Sequence, residues 1–384
     1  MFQKENFFRR MPFVSYGKLR GSYGVTGNDQ IGDLQYAGSW GLTNTLPYGG
    51  LQGVVPVSPA NPNLGWEVIH KLEGTLELGA WHDLLFFSAT WYRDWSGNQL
   101  LNDRLSAPAG FPTAVVNLPV VVRNTGWEFM LRAQQILPGR LGWSSALSLT
   151  IPRNKLVSFP GLSGSAYAGT LVPGKSLSTI RAYQYTGVDR DSGIYRFRDV
   201  NGDGYLDEKD QVPGGNTDLQ AYAGWENEIS YKNWQLSVFA EGRKQNGYDP
   251  LVILFRQVAP GSITDGLLDN MPVDVLRRWQ RPGDHQPLQR FSASASSAAA
   301  TALQYYVRSD AALRDASFIR IKTISLSYRL PPAWSRWRFS ECRVYLQGQD
   351  LFTVTHYPVT DPETQNPLAL PPLRTLVAGI RINF

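Results

Sequence analysis

The sequence predicts an all-β protein, an antiparallel transmembrane β-barrel portion of about ten strands with long extracellular loops. Three observations predict this fold. Long segments alternate apolar and polar side chains, short turns alternate with long loops, and tryptophan recurs at the predicted strand ends. A helical membrane protein is excluded, because a membrane helix needs about 18 consecutive apolar residues and the sequence contains no such run.

The predicted spans follow one another along the whole chain. They cover residues 14–25, 66–80, 84–95, 121–137, 141–153, 219–231, 234–246, 317–330, 338–350 and 372–384. The last span is the clearest. One face of this span carries the apolar residues Leu376, Ala378, Ile380, Ile382 and Phe384. The other face carries Thr375, Gly379, Arg381 and Asn383. Periodicity alone leaves two folds open, because a soluble sandwich buries its apolar face whereas a large barrel turns that face toward lipid.

The connections between the spans favour the barrel. Short turns are predicted at Trp81-His82-Asp83, Pro138-Gly139-Arg140 and Lys232-Asn233, and long stretches rich in Gly, Pro and Asn at 26–63, 96–120, 159–217, 247–315 and 351–371. This asymmetry is typical of short periplasmic turns and long extracellular loops.

Aromatic residues at strand ends indicate the two membrane interfaces, where rings with one apolar and one polar end collect. The residues concerned are Trp66, Trp81, Trp91, Trp95, Trp127, Trp143, Trp234, Trp334, Trp337 and Phe384. For any one tryptophan, ordinary packing is the alternative. The recurrence along the chain carries the argument.

Two segments depart from the regular pattern. In FIRIKTISLSYRL, Ile319 and Ile321 have the opposite parity from Ile324, which predicts a β-bulge near Lys322 and Thr323. The alternative is a shorter span that begins at Ile324. The low-complexity stretch SASASSAAATA, residues 292–302, predicts a flexible loop tip rather than a helix.

Composition excludes several other classes of protein. The single cysteine, Cys342, excludes an internal disulfide and a cysteine-based zinc site. The net charge of +5 comes from basic residues spread among acidic ones, so no nucleic-acid partner is expected. The segment after Met1 has no apolar stretch of the signal-peptide type, so we expect further residues upstream.

An acidic segment has the spacing of a calcium-binding loop. Oxygen donors stand at positions 1, 3, 5, 7, 9 and 12 of the EF-hand pattern, namely Asp199, Asn201, Asp203, the Tyr205 carbonyl, Asp207 and Asp210. Gly204 occupies the turn position. The segment differs from that pattern in ending with Asp rather than Glu and in lacking a flanking helix pair. It predicts Ca²⁺ as a cofactor; the alternative is a turn-rich loop whose carboxylates are solvated or cap one another.

No catalytic set is apparent in the sequence. The four histidines, His70, His82, His285 and His356, are isolated, and no metalloprotease, nucleophile-elbow, P-loop or dinucleotide motif is present. Charged pairs such as Glu67 with Lys71 fit a wet barrel lumen. We therefore expect no enzymatic activity.

Five blocks in fixed order resemble one family. They are GKLRGSYGVTGNDQIGDLQY at 17–36, PNLGWEVIHKLEGTLELG at 62–79, NTGWEFMLRAQ at 124–134, YTGVDRDSGIYRFRDVNGDGYLDEKDQ at 185–211 and DASFIRIKTISLSYRLP at 315–331. Together they are similar to the SusC/RagA-type TonB-dependent outer-membrane transporters of Bacteroidota. The terminal Phe384 resembles the C-terminal aromatic residue by which such barrels are recognised for assembly.

The resemblance implies an outer-membrane transporter of glycan or peptide fragments. Its barrel would have about 22 strands around a plug domain, a SusD-like surface lipoprotein would cap it, and TonB would act on the plug. Residues 1–384 would then be the C-terminal part of the barrel, with the plug and the early strands absent. About ten strands cannot close that barrel in lipid, so we expect the remaining strands on a separate or missing segment.

The same resemblance places substrate-binding candidates on the lumen face and in the extracellular loops. They are Asn28, Asp29, Tyr92, Asp94, Arg243 and Gln245. Each has a local structural role as its alternative. Two other functions stay open: a non-functional gene fragment of such a transporter, and a secreted calcium-dependent glycan-binding all-β module.

Overall fold

One antiparallel sheet dominates the computed structural model, which describes residues 13–28, 36–42, 49, 51–105, 107–137, 141–257, 259–261, 271–331 and 341–383. Its long strands are β1 (Val14–Asn28), β2 (Glu67–Ala80), β3 (Leu85–Gly97), β4 (Val121–Leu137), β5 (Leu141–Ser158), β6 (Leu219–Tyr231), β7 (Trp234–Tyr248), β8 (Phe318–Arg329), β9 (Glu341–Thr355) and β10 (Thr375–Asn383). Each pairs with its neighbour in sequence, so the order across the sheet is the order along the chain. The predicted all-β fold of consecutive antiparallel spans is confirmed.

Short elements fill the long connections. Short ladders pair Ser39–Leu42 with Val54–Ser58, Gln99–Arg104 with Thr113–Leu118, Thr179–Ala182 with Val212–Asn216, and Tyr185–Val188 with Tyr195–Phe197, while Leu313–Asp315 pairs with β7. The α-helices are α1 (Pro250–Gln257) and α2 (Ala298–Tyr306), and 3₁₀ turns cover Ala107–Ala109, Leu162–Gly164, Glu208–Asp210, Val273–Arg277 and Asp310–Ala312. Within the described ranges, neither helix has the length and apolarity needed to cross a membrane.

Two ends of the sheet differ in their connections. At the short-turn end, Trp81, His82 and Asp83 join β2 to β3, and Lys232 and Asn233 join β6 to β7. Trp81, His82, Asp83 and Lys232 have φ values of 52, 58, 66 and 53°, the positive range that matches the twist of tight hairpins. The opposite end, which we call the long-loop end, carries the long connections β1–β2, β3–β4, β5–β6, β7–β8 and β9–β10. The predicted turn Pro138-Gly139-Arg140 and the aromatic residues Trp334, Trp337 and Phe384 lie outside the described residues.

Cross-strand register gives the sheet an apolar face. One row of directly paired residues runs across it: Leu78, Phe87, Leu131, Leu147, Trp225, Ala240, Ile321 and Phe352. At the far edge, Leu376 and Ile380 of β10 are 73% and 66% exposed. The apolar row of the last strand is therefore not packed in a closed core. So large an apolar surface requires an apolar environment.

The opposite, polar face carries all the acidic residues of the long strands. They are Glu67, Glu73, Glu77, Asp94, Glu128, Glu226, Glu228, Glu241, Glu341 and Asp350. Because side chains alternate along a strand, this segregation is set by the sequence and the register together. The sheet thus separates two chemically opposite surfaces.

A β-bulge interrupts β8, as predicted. Thr323 pairs with Phe239 and Ile321 with Ala240, the next residue, so Lys322 has no partner on β7. The bulge restores Ile321 to the same face as Ile324. It also brings Lys322 onto the polar face beside Asp350, at an Nζ to Oδ1 distance of 3.7 Å.

The prediction of a flexible tip at residues 292–302 is wrong in its second half. Helix α2 begins at Ala298, and the Ser297 side chain caps it by accepting from the Ala300 amide at 3.1 Å. The helix buries Ala299, Ala302 and Leu303. Alanine has the highest helix propensity, so a cap and one buried face suffice to order this segment.

The connections at the long-loop end form their own apolar core. Tyr195, Val252, Phe255, Leu303 and Tyr306 belong to one buried cluster, drawn from the segments around the Tyr185–Val188 ladder, α1 and α2. The rings of Tyr195 and Tyr306 stack with centroids 4.1 Å apart. Burial raises the pKa of Tyr306 to about 12, which keeps its hydroxyl neutral. These loops are packed structure on top of the sheet.

Neighbouring residues on β9 test which face meets lipid. Leu346 lies on the apolar face and is 55% exposed, while Gln347 lies on the polar face. We expect Leu346→Arg to lower the free energy of unfolding in lipid by about 2–4 kcal/mol, the cost of an arginine facing hydrocarbon. Gln347→Arg is the matched control and should change it by less than about 0.5 kcal/mol. Urea unfolding in lipid vesicles measures both, and equal small costs would mean that Leu346 faces water.

Candidate functional site

The polar face is the candidate site, because it presents charged and hydroxyl-bearing side chains along the whole sheet. On strands β1 to β4, Tyr92 and Asp94 line one open cleft with Lys71, Glu73 and Glu128. Beneath them, the Thr75 hydroxyl is buried and lies 3.1 Å from the Thr90 hydroxyl. The structure thus brings two predicted substrate-binding residues, Tyr92 and Asp94, into one cleft.

Tyr92 lies flat on the sheet because its cross-strand partner is a glycine. A Cβ at Gly126 would stand 2.5–2.7 Å from the Tyr92 ring and hydroxyl. Tyr345 covers Gly379 in the same way on β9 and β10. Such pairs cover the bare glycine backbone with an aromatic ring. Each pair leaves a flat ring as part of the polar wall.

Asn28 lies at the long-loop end of β1 and has a structural role there. Its side-chain amide donates to Glu67 at 2.9 Å, and Glu67 also accepts from the Leu100 amide at 3.0 Å. These bonds join β1, β2 and the ladder that begins at Gln99. Asp29, the other candidate in this connection, lies outside the described residues.

Gln245 is buried and already engaged. Its side-chain amide donates to the Pro362 carbonyl at 2.9 Å, which holds the connection between β9 and β10 against β7. The neighbouring connection residue Tyr357 donates its hydroxyl to the Tyr248 carbonyl. We call residues 357–365 the returning segment, because they fold back over the polar face. The Gln245 side chain therefore anchors the returning segment to β7.

Arg243 belongs to a dense group of charges that we call the charged cluster. Its members are Glu241, Arg243, Arg320, Lys322, Asp350, Asp361 and Glu363. Arg243 pairs with Glu241 and, at 3.1 Å, with Glu363. Lys322 lies 2.8 Å from Glu363 and 3.6 Å from Glu241. Strands β7 and β8 supply the cations, and the returning segment supplies Asp361 and Glu363.

Arg320 is the centre of the charged cluster. Its side chain is 1% exposed and pairs with Asp361 and, at 2.6 Å, with Glu363, while its Nε donates to the Thr353 hydroxyl at 2.8 Å. A guanidinium so buried is tolerated only when it is paired and hydrogen-bonded. The cluster therefore holds the returning segment on the lumen wall.

Sequence reasoning found Arg243 and missed Arg320, Lys322, Asp361 and Glu363. The parity of FIRIKTISL sets Arg320 and Lys322 apart from Ile319 and Ile321, and the predicted bulge then places both cations on the polar face. Asp361 and Glu363 carried no signal, because they lie in a long connection whose path over the sheet has no periodicity. Their role depends on where that connection returns.

The acidic loop at 199–210 is held by its own carboxylates. Asp210 accepts from the amides of Val200 at 2.8 Å and Asp207 at 2.9 Å, and Asp199 accepts from Gly202 and Gly204 at 2.7 and 2.8 Å. Across the residues the structure describes, no group of three or more His, Cys, Asp or Glu side chains is placed to hold a metal ion. The geometry favours carboxylates that cap their own loop, and calcium binding stays a prediction.

Comparisons with known proteins relate the chain to one class of transporter. No family model matches the sequence. A TonB-dependent receptor of Formosa agariphila is 26% identical over 389 residues, covering 94% of this chain and 38% of the receptor. The TonB-dependent receptor SusC of Bacteroides thetaiotaomicron is 22% identical over 410 residues, covering 100% of this chain and 39% of SusC. The chain therefore spans about two fifths of the length of these curated relatives.

Solved structures share the fold over the whole chain. The RagAB peptide transporter superposes with a TM-score of 0.81 at 20% identity, covering 100% of this chain and 42% of the matched chain. A RagAB importer in a closed state gives the same TM-score and coverage. The resemblance to SusC/RagA-type TonB-dependent transporters is confirmed. These relatives are named as receptors, transporters or importers, and none as an enzyme.

Removing one anion from the charged cluster should destabilise the protein strongly. We expect Asp361→Asn to lower the free energy of unfolding by about 3 kcal/mol, because Arg320 stays buried with one partner fewer. The exposed pair of Arg281 and Asp284 supplies the control, since Arg281 is 86% exposed. Arg281→Gln should cost less than about 1 kcal/mol. Chemical unfolding in detergent measures both; equal losses would show that the charged cluster does not hold the returning segment.

The acidic loop should lose its order in acid. Donation from the Asp207 amide first, then from Val200 and Asn201, holds the pKa of Asp210 below its ordinary value. A lowered pKa means that the loop is fully stabilised above about pH 4 and loses that contribution as pH falls through the lowered pKa. Amide hydrogen exchange at Val200 and Asp207 should show this loss, and Asp210→Asn should show it already at neutral pH. Unchanged protection in Asp210→Asn, with Glu208→Gln as control, would contradict the hydrogen-bonded loop.

Proposed function

We propose that this chain, which is related in sequence and fold to SusC/RagA-type TonB-dependent transporters, forms the C-terminal part of the barrel of such a transporter in the outer membrane. Its role is to supply a polar lumen wall along which glycan or peptide fragments pass. One observation carries the proposal: a single consecutive sheet exposes an apolar face on one side and gathers its acidic residues on the other. That division suits a wall between lipid and water.

The edges of the sheet support a larger assembly. Strands β1 and β10 each pair on one side only among the described residues. In hydrocarbon an unpaired strand edge costs several kcal/mol for each unsatisfied backbone group. We propose that further barrel strands, carried on a separate segment or on residues beyond this chain, pair with both edges. A plug, TonB acting on it, and a SusD-like lipoprotein at the long-loop end complete the proposed transporter.

The polar wall supports an oligomeric substrate. It offers the flat rings of Tyr92 and Tyr345 and separate groups of carboxylates and cations along its length. Such mixed surfaces suit hydroxyl and amide groups of extended chains. The peptide transporter among the solved structures favours peptide fragments over glycans. Arg243, Tyr92 and Asp94 are the proposed contacts on the wall, and Gln245 acts through the returning segment.

Membrane placement is tested by fractionating the native cells. The chain should sediment with outer membranes, require detergent for extraction, and migrate faster before heating than after it, as a hydrogen-bonded barrel does. Recovery in solution without detergent would contradict the proposal and favour the secreted calcium-dependent module. If the chain does not reach the membrane even when any partner strands are expressed with it, the alternative of a non-functional gene fragment is favoured.

Transport is tested by uptake in the same cells. Deletion of the coding sequence should abolish uptake of labelled oligopeptides or oligosaccharides, and the wild-type chain should restore it. Tyr92→Ala should reduce uptake several-fold, because the ring is part of the wall, while Trp81→Phe at the short-turn end serves as control. Unchanged uptake after deletion would exclude a transport role.

A further inference from the structure

The charged side chains that alternation places on the apolar face of the long strands are all basic, and four of the five lie together. Alternation puts Arg93 of β3, Arg123 of β4, and Arg153 and Lys155 of β5 on this face, all near the long-loop end. Lys244 of β7 also lies on this face, further along the sheet. The acidic residues of the long strands lie on the opposite face, so no carboxylate of these strands neutralises the group. We call Arg93, Arg123, Arg153 and Lys155 the basic patch.

The basic patch is compact because its members are register neighbours. Arg123 of β4 pairs directly with Lys155 of β5. Two residues further along β4, Thr125 pairs with Arg93 of β3 and with Arg153 of β5. Adjacent strands are about 4.8 Å apart and alternate residues about 6.6 Å apart along a strand. The four cations therefore lie within an area of roughly 10 by 7 Å, which is the size of a phosphate group with its hydrogen-bonding shell.

These cations have few partners within the protein. No ion pair among the described residues includes any of them. Arg153 donates through one nitrogen to the Pro152 and Gln220 carbonyls, each at 2.7 Å. The Nε of Arg93 is buried without a hydrogen-bond acceptor, and its guanidinium lies 4.3 Å from the centre of the Trp95 ring. The patch is thus positive and short of acceptors.

The height of the patch matches the headgroup level. Gly74 of β2 pairs with Trp91, so Trp91 stands seven residues above Trp81 at the short-turn end. That separation is about 18 Å along the membrane normal, at about 3.3 Å per residue and a tilt near 40°. Trp91 pairs with Trp127 on the apolar face, inside an apolar band that is about 25 Å tall. Arg93 and Trp95 follow Trp91 by two and four residues on the same face. These levels are about 23 and 28 Å above Trp81, so the patch lies at the upper edge of the apolar band, next to the lipid phosphates.

We propose that the basic patch binds the phosphate of an anionic lipid headgroup in the outer leaflet. Arginine and lysine recognise phosphate by charge-assisted hydrogen bonds, and Trp95 and the exposed Trp127 below them suit the adjoining acyl chains. The inference rests on the proposed membrane placement. It adds a lipid site on the outside of the barrel wall, separate from the lumen through which substrate passes.

Lipid binding to the chain extracted in dodecyl maltoside from native outer membranes tests the proposal. Native mass spectrometry measures binding of phosphatidic acid, with phosphatidylcholine as the zwitterionic probe. We expect Arg123→Gln with Lys155→Gln to weaken phosphatidic acid binding about 30-fold, since each cation near a membrane surface contributes about fivefold. The conservative pair Arg123→Lys with Lys155→Arg should retain binding, which separates charge loss from misfolding.

Matched controls make each outcome decisive. Lys18→Gln with Arg20→Gln removes the same charge from the polar face of β1 and should leave lipid binding unchanged. Equal weakening in that control, equal binding of phosphatidylcholine, or unchanged binding in Arg123→Gln with Lys155→Gln would overturn the proposal. Competition by millimolar inorganic phosphate would assign the site to free phosphate instead and overturn the lipid claim. A chain recovered without detergent would contradict the membrane placement itself, which distinguishes that failure from failure of the patch.

Discussion

The structure depends on one constraint: a sheet between hydrocarbon and water must pair its backbone groups along every strand while it sends alternate side chains into opposite surroundings. Neighbouring strands β1 to β10 meet that constraint by pairing in chain order. The row of paired residues from Leu78 to Phe352 is therefore apolar throughout. The same constraint explains the bulge at Lys322, because without it Ile319 and Ile321 would face water.

The polar face is free of that constraint, and there the protein places its dense electrostatics. Arg320 can be buried there because the returning segment brings Asp361 and Glu363 to it. The lumen wall is therefore shaped partly by a connection and not by strands alone. On the apolar face, the basic patch lies toward the long-loop end, at the edge of the band of apolar side chains. Position relative to the membrane thus decides where a charge is tolerated.

The strands could be predicted closely from the sequence, because alternation with a period of two is local and the short turns fix the register of the strand pairs that they join. Even the bulge followed from the parity of Ile321 and Ile324. Features that depend on how connections fold back could not be predicted. The alternation predicts Gln245 as an exposed lumen residue, but the structure buries it against Pro362. The acidic partners of Arg320 lie some forty residues further along the chain. Helix α2 was missed because a Ser and Ala composition fits both a loop and a helix, and the Ser297 cap and tertiary burial decide between them.

The accessibility of side chains along β10 distinguishes a sheet between lipid and water from a sheet with water on both faces. Spin labels would be placed one at a time at residues 375–382, with Cys342 replaced by serine, and the chain studied in lipid vesicles with any partner strands it carries. Labels at Leu376, Ala378, Ile380 and Ile382 should collide with lipid-soluble oxygen, and labels at Thr375, Val377, Gly379 and Arg381 with a water-soluble nickel chelate. A strict alternation between the two reagents is the predicted result. Uniform accessibility to the nickel chelate at all positions would contradict the claim that this sheet divides lipid from water.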